Sequence, residues 1–131
     1  MFAIMKYGLG PVFALFPLLS FAQGLQVVRP IEGYTCMSLN LTESQLLNNT
    51  KPVLVRAEPT LSSPQVGTAG ATVAVLQPAH PVNGFVQILF PTGQHVWINF
   101  SELRPWRSSS NPKAQCVPSW LSNGKPGFDY K

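Results

Sequence analysis

Residues 83–98 read Asn83-Gly-Phe-Val-Gln-Ile-Leu-Phe-Pro-Thr-Gly-Gln-His-Val-Trp-Ile98. Asn83-Gly84 is a turn dipeptide that opens β-hairpins, because both residue types accept positive φ. Phe85 to Phe90 is a β-prone apolar run. Pro91-Thr92-Gly93 turns the chain, and Gln94 to Ile98 returns as a second strand, so the stretch predicts an antiparallel hairpin. Strand side chains alternate between faces. Placing Val86, Ile88, Phe90, Val96 and Ile98 inward sends Phe85, Leu89, His95 and Trp97 to the opposite side. Those four are the candidate binding residues. Two readings of them stay open: an exposed apolar patch of the kind that marks binding sites, or a second small core covered by the flanking segments.

Working outward, Val53-Leu-Val-Arg56 predicts a strand stopped by Glu58-Pro59, and residues 57–65 have the composition of a loop. Gly67 to Gly70 leads into Ala71-Thr-Val-Ala-Val-Leu76, where Val73 and Val75 share a face. Ser101-Glu-Leu103 fits a single 3₁₀ turn. The one helix signal is Thr42-Glu-Ser-Gln-Leu-Leu47, in which Thr42 and Gln45 form a capping box and Asn48-Asn49 and Pro52 end the element. Leu25 to Arg29 is a short strand candidate closed by Pro30. Beyond Trp106 the chain is loop-like up to Cys116, and the end is tied down only if Trp120 and Phe128 pack. Thirteen prolines and ten glycines in 131 residues suit short strands joined by turns. The expected class is mainly all-β with a short N-terminal helix.

Lys6, the uncharged stretch Leu9–Leu19 and the small-residue site ending at Ala22 have the three-part layout of a secretory signal, residues 1–22. The stretch holds eleven residues broken by Pro11 and Pro17, short of the roughly 20 that cross a bilayer. Removing it predicts a periplasmic or secreted chain of 109 residues (131 − 22) with no membrane span. Subtracting Lys6 from nine Lys+Arg leaves eight against five Asp+Glu, a net charge of +3. These cations are scattered, densest at Arg104, Arg107 and Lys113, and do not form the stripe of a nucleic-acid binder. In an oxidising compartment the two cysteines, Cys36 and Cys116, read as a disulfide. Two Cys without CxxC spacing and two distant His, His80 and His95, match no zinc pattern.

The order of signals from Val53 to Leu103 resembles the bacterial SH3-like domain family. Val53-Leu-Val-Arg-Ala-Glu-Pro-Thr60 is similar to the family's opening strand and Arg-containing loop. Val66-Gly-Thr68 with Val73 and Val75 resembles its Gly-led second strand. Asn83-Gly-Phe-Val-Gln-Ile88 stands in the place of its Gly-Trp-x-x-Val strand, and Trp97-Ile98 followed by Leu103 in that of its closing Gly-Trp-Val and terminal Leu. Leu54, Glu58, Phe85 and Val96 depart from the usual Asn, Gly, Trp and Gly. The resemblance spans 51 residues and implies a small SH3-like β-barrel over 53–103. Residues 23–52 and 104–131 then become disulfide-linked terminal extensions. Three Asn-x-Ser/Thr triplets, at Asn40, Asn48 and Asn99, match the N-glycosylation pattern; the bacterial resemblance makes them chance matches, and a eukaryotic source would reopen the question.

No nucleophile–base set, G-x-S-x-G elbow, phosphate loop or metal helix motif is present. The expectation is a non-enzymatic exported binding module without cofactor or metal. Its implied partner is a cell-wall (peptidoglycan) peptide or an envelope protein; the alternative is a structural component of a secreted complex with no wall binding.

Overall fold

A computed structural model describes residues 24–108 and 110–131; the signal-peptide reading of 1–22 lies outside them. The described residues are mainly β. In chain order they form β1 (Val27–Pro30), β2 (Tyr34–Leu39), α1 (Glu43–Asn48), β3 (Leu54–Arg56), β4 (Gln65–Thr68), β5 (Thr72–Leu76), β6 (Phe85–Leu89) and β7 (His95–Asn99). A 3₁₀ turn (Phe100–Glu102), β8 (Leu103–Pro105), β9 (Cys116–Leu121) and β10 (Pro126–Tyr130) complete them. Two antiparallel sheets result: a seven-stranded one in the order β4-β3-β7-β6-β5-β2-β8, and a three-stranded one in the order β1-β9-β10. The edge strands β4 and β8 of the larger sheet are not paired with each other, so it does not close through hydrogen bonds.

Local chemistry accounts for the hairpins. Asn83 and Gly84 sit at φ 54° and 83°, the backbone pair of a type I′ turn. Val82 and Phe85 exchange N–H···O bonds of 2.8 and 2.9 Å across it. At the next turn the Gly93 N–H donates to the Phe90 carbonyl at 2.8 Å, and β6 and β7 then pair from Leu89↔His95 to Phe85↔Asn99. α1 carries the full capping box: Thr42 Oγ1 accepts from the Gln45 N–H at 3.1 Å, and Gln45 Oε1 accepts from the Thr42 N–H at 2.9 Å. Asn49 ends it in the left-handed conformation.

One apolar cluster draws on nearly every strand of the larger sheet. Val55, Val73, Val75, Val86, Ile88, Val96, Ile98 and Leu103 meet Leu39, Leu41, Val53 and Ala69, with Leu46 of α1 packed against them. Strands from both halves of the sheet thus turn one face to a common interior. Gly67 of β4 lets that interior close, since a Cβ there would stand 2.9 Å from the Phe90 ring. β2 lies N-terminal to the 53–103 stretch yet pairs between β5 and β8, with Leu39 opposite Leu103. The last 16 residues also depart from their loop-like composition, because Cys116–Leu121 and Pro126–Tyr130 pair with each other and with β1.

The three-stranded sheet joins the two ends of the described chain and covers the outer face of β5 and β6. Ile31, Ala74 and Leu89 form a second cluster there, with Tyr34, Trp120 and Phe128 packed on it. Cys36 of β2 and Cys116 of β9 form the disulfide, Cα–Cα 6.1 Å, across a sequence separation of 80 residues.

Candidate functional site

The four candidate residues of the β6–β7 hairpin do not form one open patch. Leu89 is 6 % exposed, under the terminal sheet. Phe85 is 4 % exposed and lines a recess of about 220 Å³ with Pro52, Leu54, Leu61, Asn99 and Glu102. Both faces of β6 are therefore covered, and only Gln87 on it is half-buried. Trp97 is half-buried, placed by its register between Gln87 and Arg56. His95 is exposed, its Nδ1 3.4 Å from the Tyr34 hydroxyl. Of the two readings open at these positions, coverage by the termini holds at Leu89.

Arg56 is held by its own loop. Its Nη1 donates to the Leu61 and Ser63 carbonyls, both at 3.0 Å. The Glu58 N–H donates to the buried Ser63 hydroxyl at 2.8 Å. A guanidinium spent on backbone carbonyls orders the Ala57–Pro64 turn and is not offered to a ligand by that atom.

A wider groove, about 540 Å³, lies where the two sheets meet. The disulfide forms part of its wall, with Met37 from β2, Pro105 and Trp106 at the end of β8, and Val117 from β9. Trp106 is braced by Tyr130 of β10, ring centroids 5.8 Å apart and planes 23° from parallel. Tyr130 stacks in turn near Phe128 at 6.1 Å. The lining has no ionisable group beyond the bridged sulfurs, so what it offers a ligand is mainly apolar and aromatic contact, with Thr35 and Gln115 as its polar side chains.

Across Trp106 is a smaller recess, about 210 Å³, that contains Arg104 and Arg107. The Arg104 Nε donates to the Leu39 carbonyl at 3.2 Å, fixing that guanidinium beside β2. In the sequence this pair stands out only as the densest point of a scattered charge; Trp106 and Met37 lie 69 residues apart (106 − 37), and nothing in spacing links them. Among the described residues no group of three His, Cys, Asp or Glu is placed to hold a metal. Burial raises the Tyr34 hydroxyl above the ordinary tyrosine pKa. No helix among these residues is long and apolar enough to cross a membrane.

No family model, curated protein or solved structure matches the chain.

Proposed function

We propose that this chain is a non-catalytic, exported binding module built on an SH3-like barrel, acting in the bacterial cell envelope on a cell-wall peptide or an envelope protein. The observation that carries the binding part is the groove at the sheet junction: mainly aromatic and apolar walls, braced by stacking and a disulfide, and no ionisable side chain in the lining. Such composition suits recognition, where anchors in a desolvated groove supply most of the affinity. The barrel part is supported by the 3₁₀ turn between β7 and β8 and by the single interior shared by β2, β3 and β5–β8. The bridge is compatible with export.

Retention of the purified chain on isolated peptidoglycan, beside a wall-binding SH3-like control, tests the wall reading. Retention of the control alone overturns it. One observation favours the alternative, a protein-contact component of a secreted complex: β1 is exposed along its length, and Leu25, Val27 and Val28 are 62, 43 and 56 % exposed. Chemical cross-linking in native envelopes then yields a reproducible partner, whereas a chain that stays uncrosslinked at every reagent concentration overturns it.

A further inference from the structure

Trp106 stands in the wall of both the junction groove and the recess beside it. The two hollows are therefore neighbours, one apolar and one basic. In the recess, Arg104 and Arg107 share the lining with the apolar Leu41 and Leu46 and with Glu43 of α1. Arg104 is half-buried and Arg107 exposed. Neither guanidinium reaches a carboxylate within ion-pair distance; the sole ion pair among the described residues is Lys131–Asp129 at 3.7 Å. Apart from the Arg104 Nε, neither makes a hydrogen bond to another described residue. Among the described residues, two cations thus stand without an ion-pair partner at one end of an aromatic groove, with Glu43 the one carboxylate in the same recess.

We infer that groove and recess form one site for an extended peptide segment with acidic side chains next to apolar ones. The inference rests on reading the groove as a binding site and adds the chemistry of its partner. The guanidinium fork matches a carboxylate in plane and can hold it with two parallel N–H···O bonds. Arg104 is already oriented by the Leu39 carbonyl, so part of the ordering cost is met before binding. The apolar side chains of the peptide lie along Trp106, Met37 and Val117. Glu43 opposes any anion in the recess, and its charge sets a limit on how strongly the site attracts acids in general.

The test uses the full chain and two fluorescein-labelled octapeptides, Ala-Leu-Pro-Leu-Glu-Glu-Leu-Ala and its Gln-Gln counterpart, followed by anisotropy. The acidic peptide binds about five- to tenfold tighter, the sum of two partly exposed charge pairs. Arg107→Gln weakens the acidic peptide about two- to fivefold and leaves the amide peptide unchanged, while Glu43→Gln strengthens the acidic one about twofold. Trp106→Ala weakens both about tenfold or more, as loss of a central aromatic anchor does. The two charge variants alter exposed side chains and leave the fold readable even if the tryptophan variant does not. Equal affinity for the two peptides overturns the acidic preference. Displacement of the acidic peptide by inorganic polyphosphate as readily as by unlabelled peptide overturns it too, by making the recess a general polyanion surface. Failure of both peptides to bind overturns the inference, and retention on peptidoglycan or a native cross-linked partner then still separates that outcome from failure of the binding reading itself.

Discussion

The two sheets of this molecule are held by different means. The seven-stranded sheet encloses twelve buried residues in one cluster, among them Val55, Val75 and Ile98 with no exposed surface. The three-stranded sheet packs on a cluster of three buried residues, Ile31, Ala74 and Leu89, helped by half-buried aromatics and by its own buried Pro118, Ser119 and Pro126, and its strand β1 is exposed throughout. Its strands also come from opposite ends: Val27 pairs with Leu121. Ordering so distant a pair costs loop-closure entropy, and this sheet has a smaller buried cluster to set against it than the large one has. The Cys36–Cys116 bridge supplies that closure covalently. Burial secures the first sheet, and a cross-link secures the second.

Removing the bridge is the strongest way to break this contrast. Closing a loop of 80 residues contributes about 4–5 kcal/mol in the chain-entropy account, comparable to the roughly 5–15 kcal/mol that a whole domain has. The Cys36→Ser/Cys116→Ser double variant loses stability on that scale in denaturant titration. Its amide exchange shows the order of loss: β9 and β10 open first, and β6 and β7 keep the highest protection. Simultaneous loss in both sheets would mean that the terminal sheet is as well secured by packing as the large one.

Next in size is Ile98→Ala. Ile98 is fully buried at the middle of the large cluster, where truncation costs about 2–5 kcal/mol. Because the terminal sheet docks on β5 and β6, this variant loosens both sheets together, unlike the serine variant. Near-ultraviolet circular dichroism and exchange rates in β9 read that coupling. A smaller step is Thr42→Ala, which deletes one half of the capping box and costs about 1 kcal/mol. Leu46 is the apolar residue of α1 packed against the large cluster, and none of α1 belongs to the small one, so exchange rises in α1 and stays unchanged in the terminal sheet.

The same contrast decides what sequence alone reveals. The β6–β7 hairpin, the capped helix and the disulfide are legible because their signals are short-range or compositional: Asn83-Gly84, Thr42 with Gln45, two cysteines. The terminal sheet is not, because β9 contains Pro118 and β10 begins Pro126-Gly127, a composition that reads as loop until β1 supplies a partner 94 residues away (121 − 27). The alternation rule sorted Val86, Ile88, Val96 and Ile98 correctly into the interior. It had no means of deciding whether the other face met water, and at Leu89 it meets Ile31 and Trp120. The junction groove was hidden for the same reason: Met37, Trp106 and Val117 become neighbours only when the termini dock.

The finest probe of that docking is Tyr34, a residue of β2 that packs on the small cluster and so reports on the seam between the sheets. Burial penalises its phenolate and raises its pKa in the folded chain above the ordinary value, which is near ~10 in an unfolded one. Below that ordinary value both states keep the proton and pH has no effect through this group. As pH rises through it toward the raised folded value, the unfolded chain releases its proton first, so the stability contributed by the neutral phenol is lost. Tyr34→Phe has no proton to release. Between pH 8 and pH 11 the parent chain therefore loses more stability than the variant, and the difference between their urea midpoints isolates this position from the lysines and from Tyr130. Opening the seam with the double serine variant returns Tyr34 to water and abolishes the difference. If the difference survives in that background, Tyr34 is buried by the large sheet alone, and the two sheets are less separable than their packing implies.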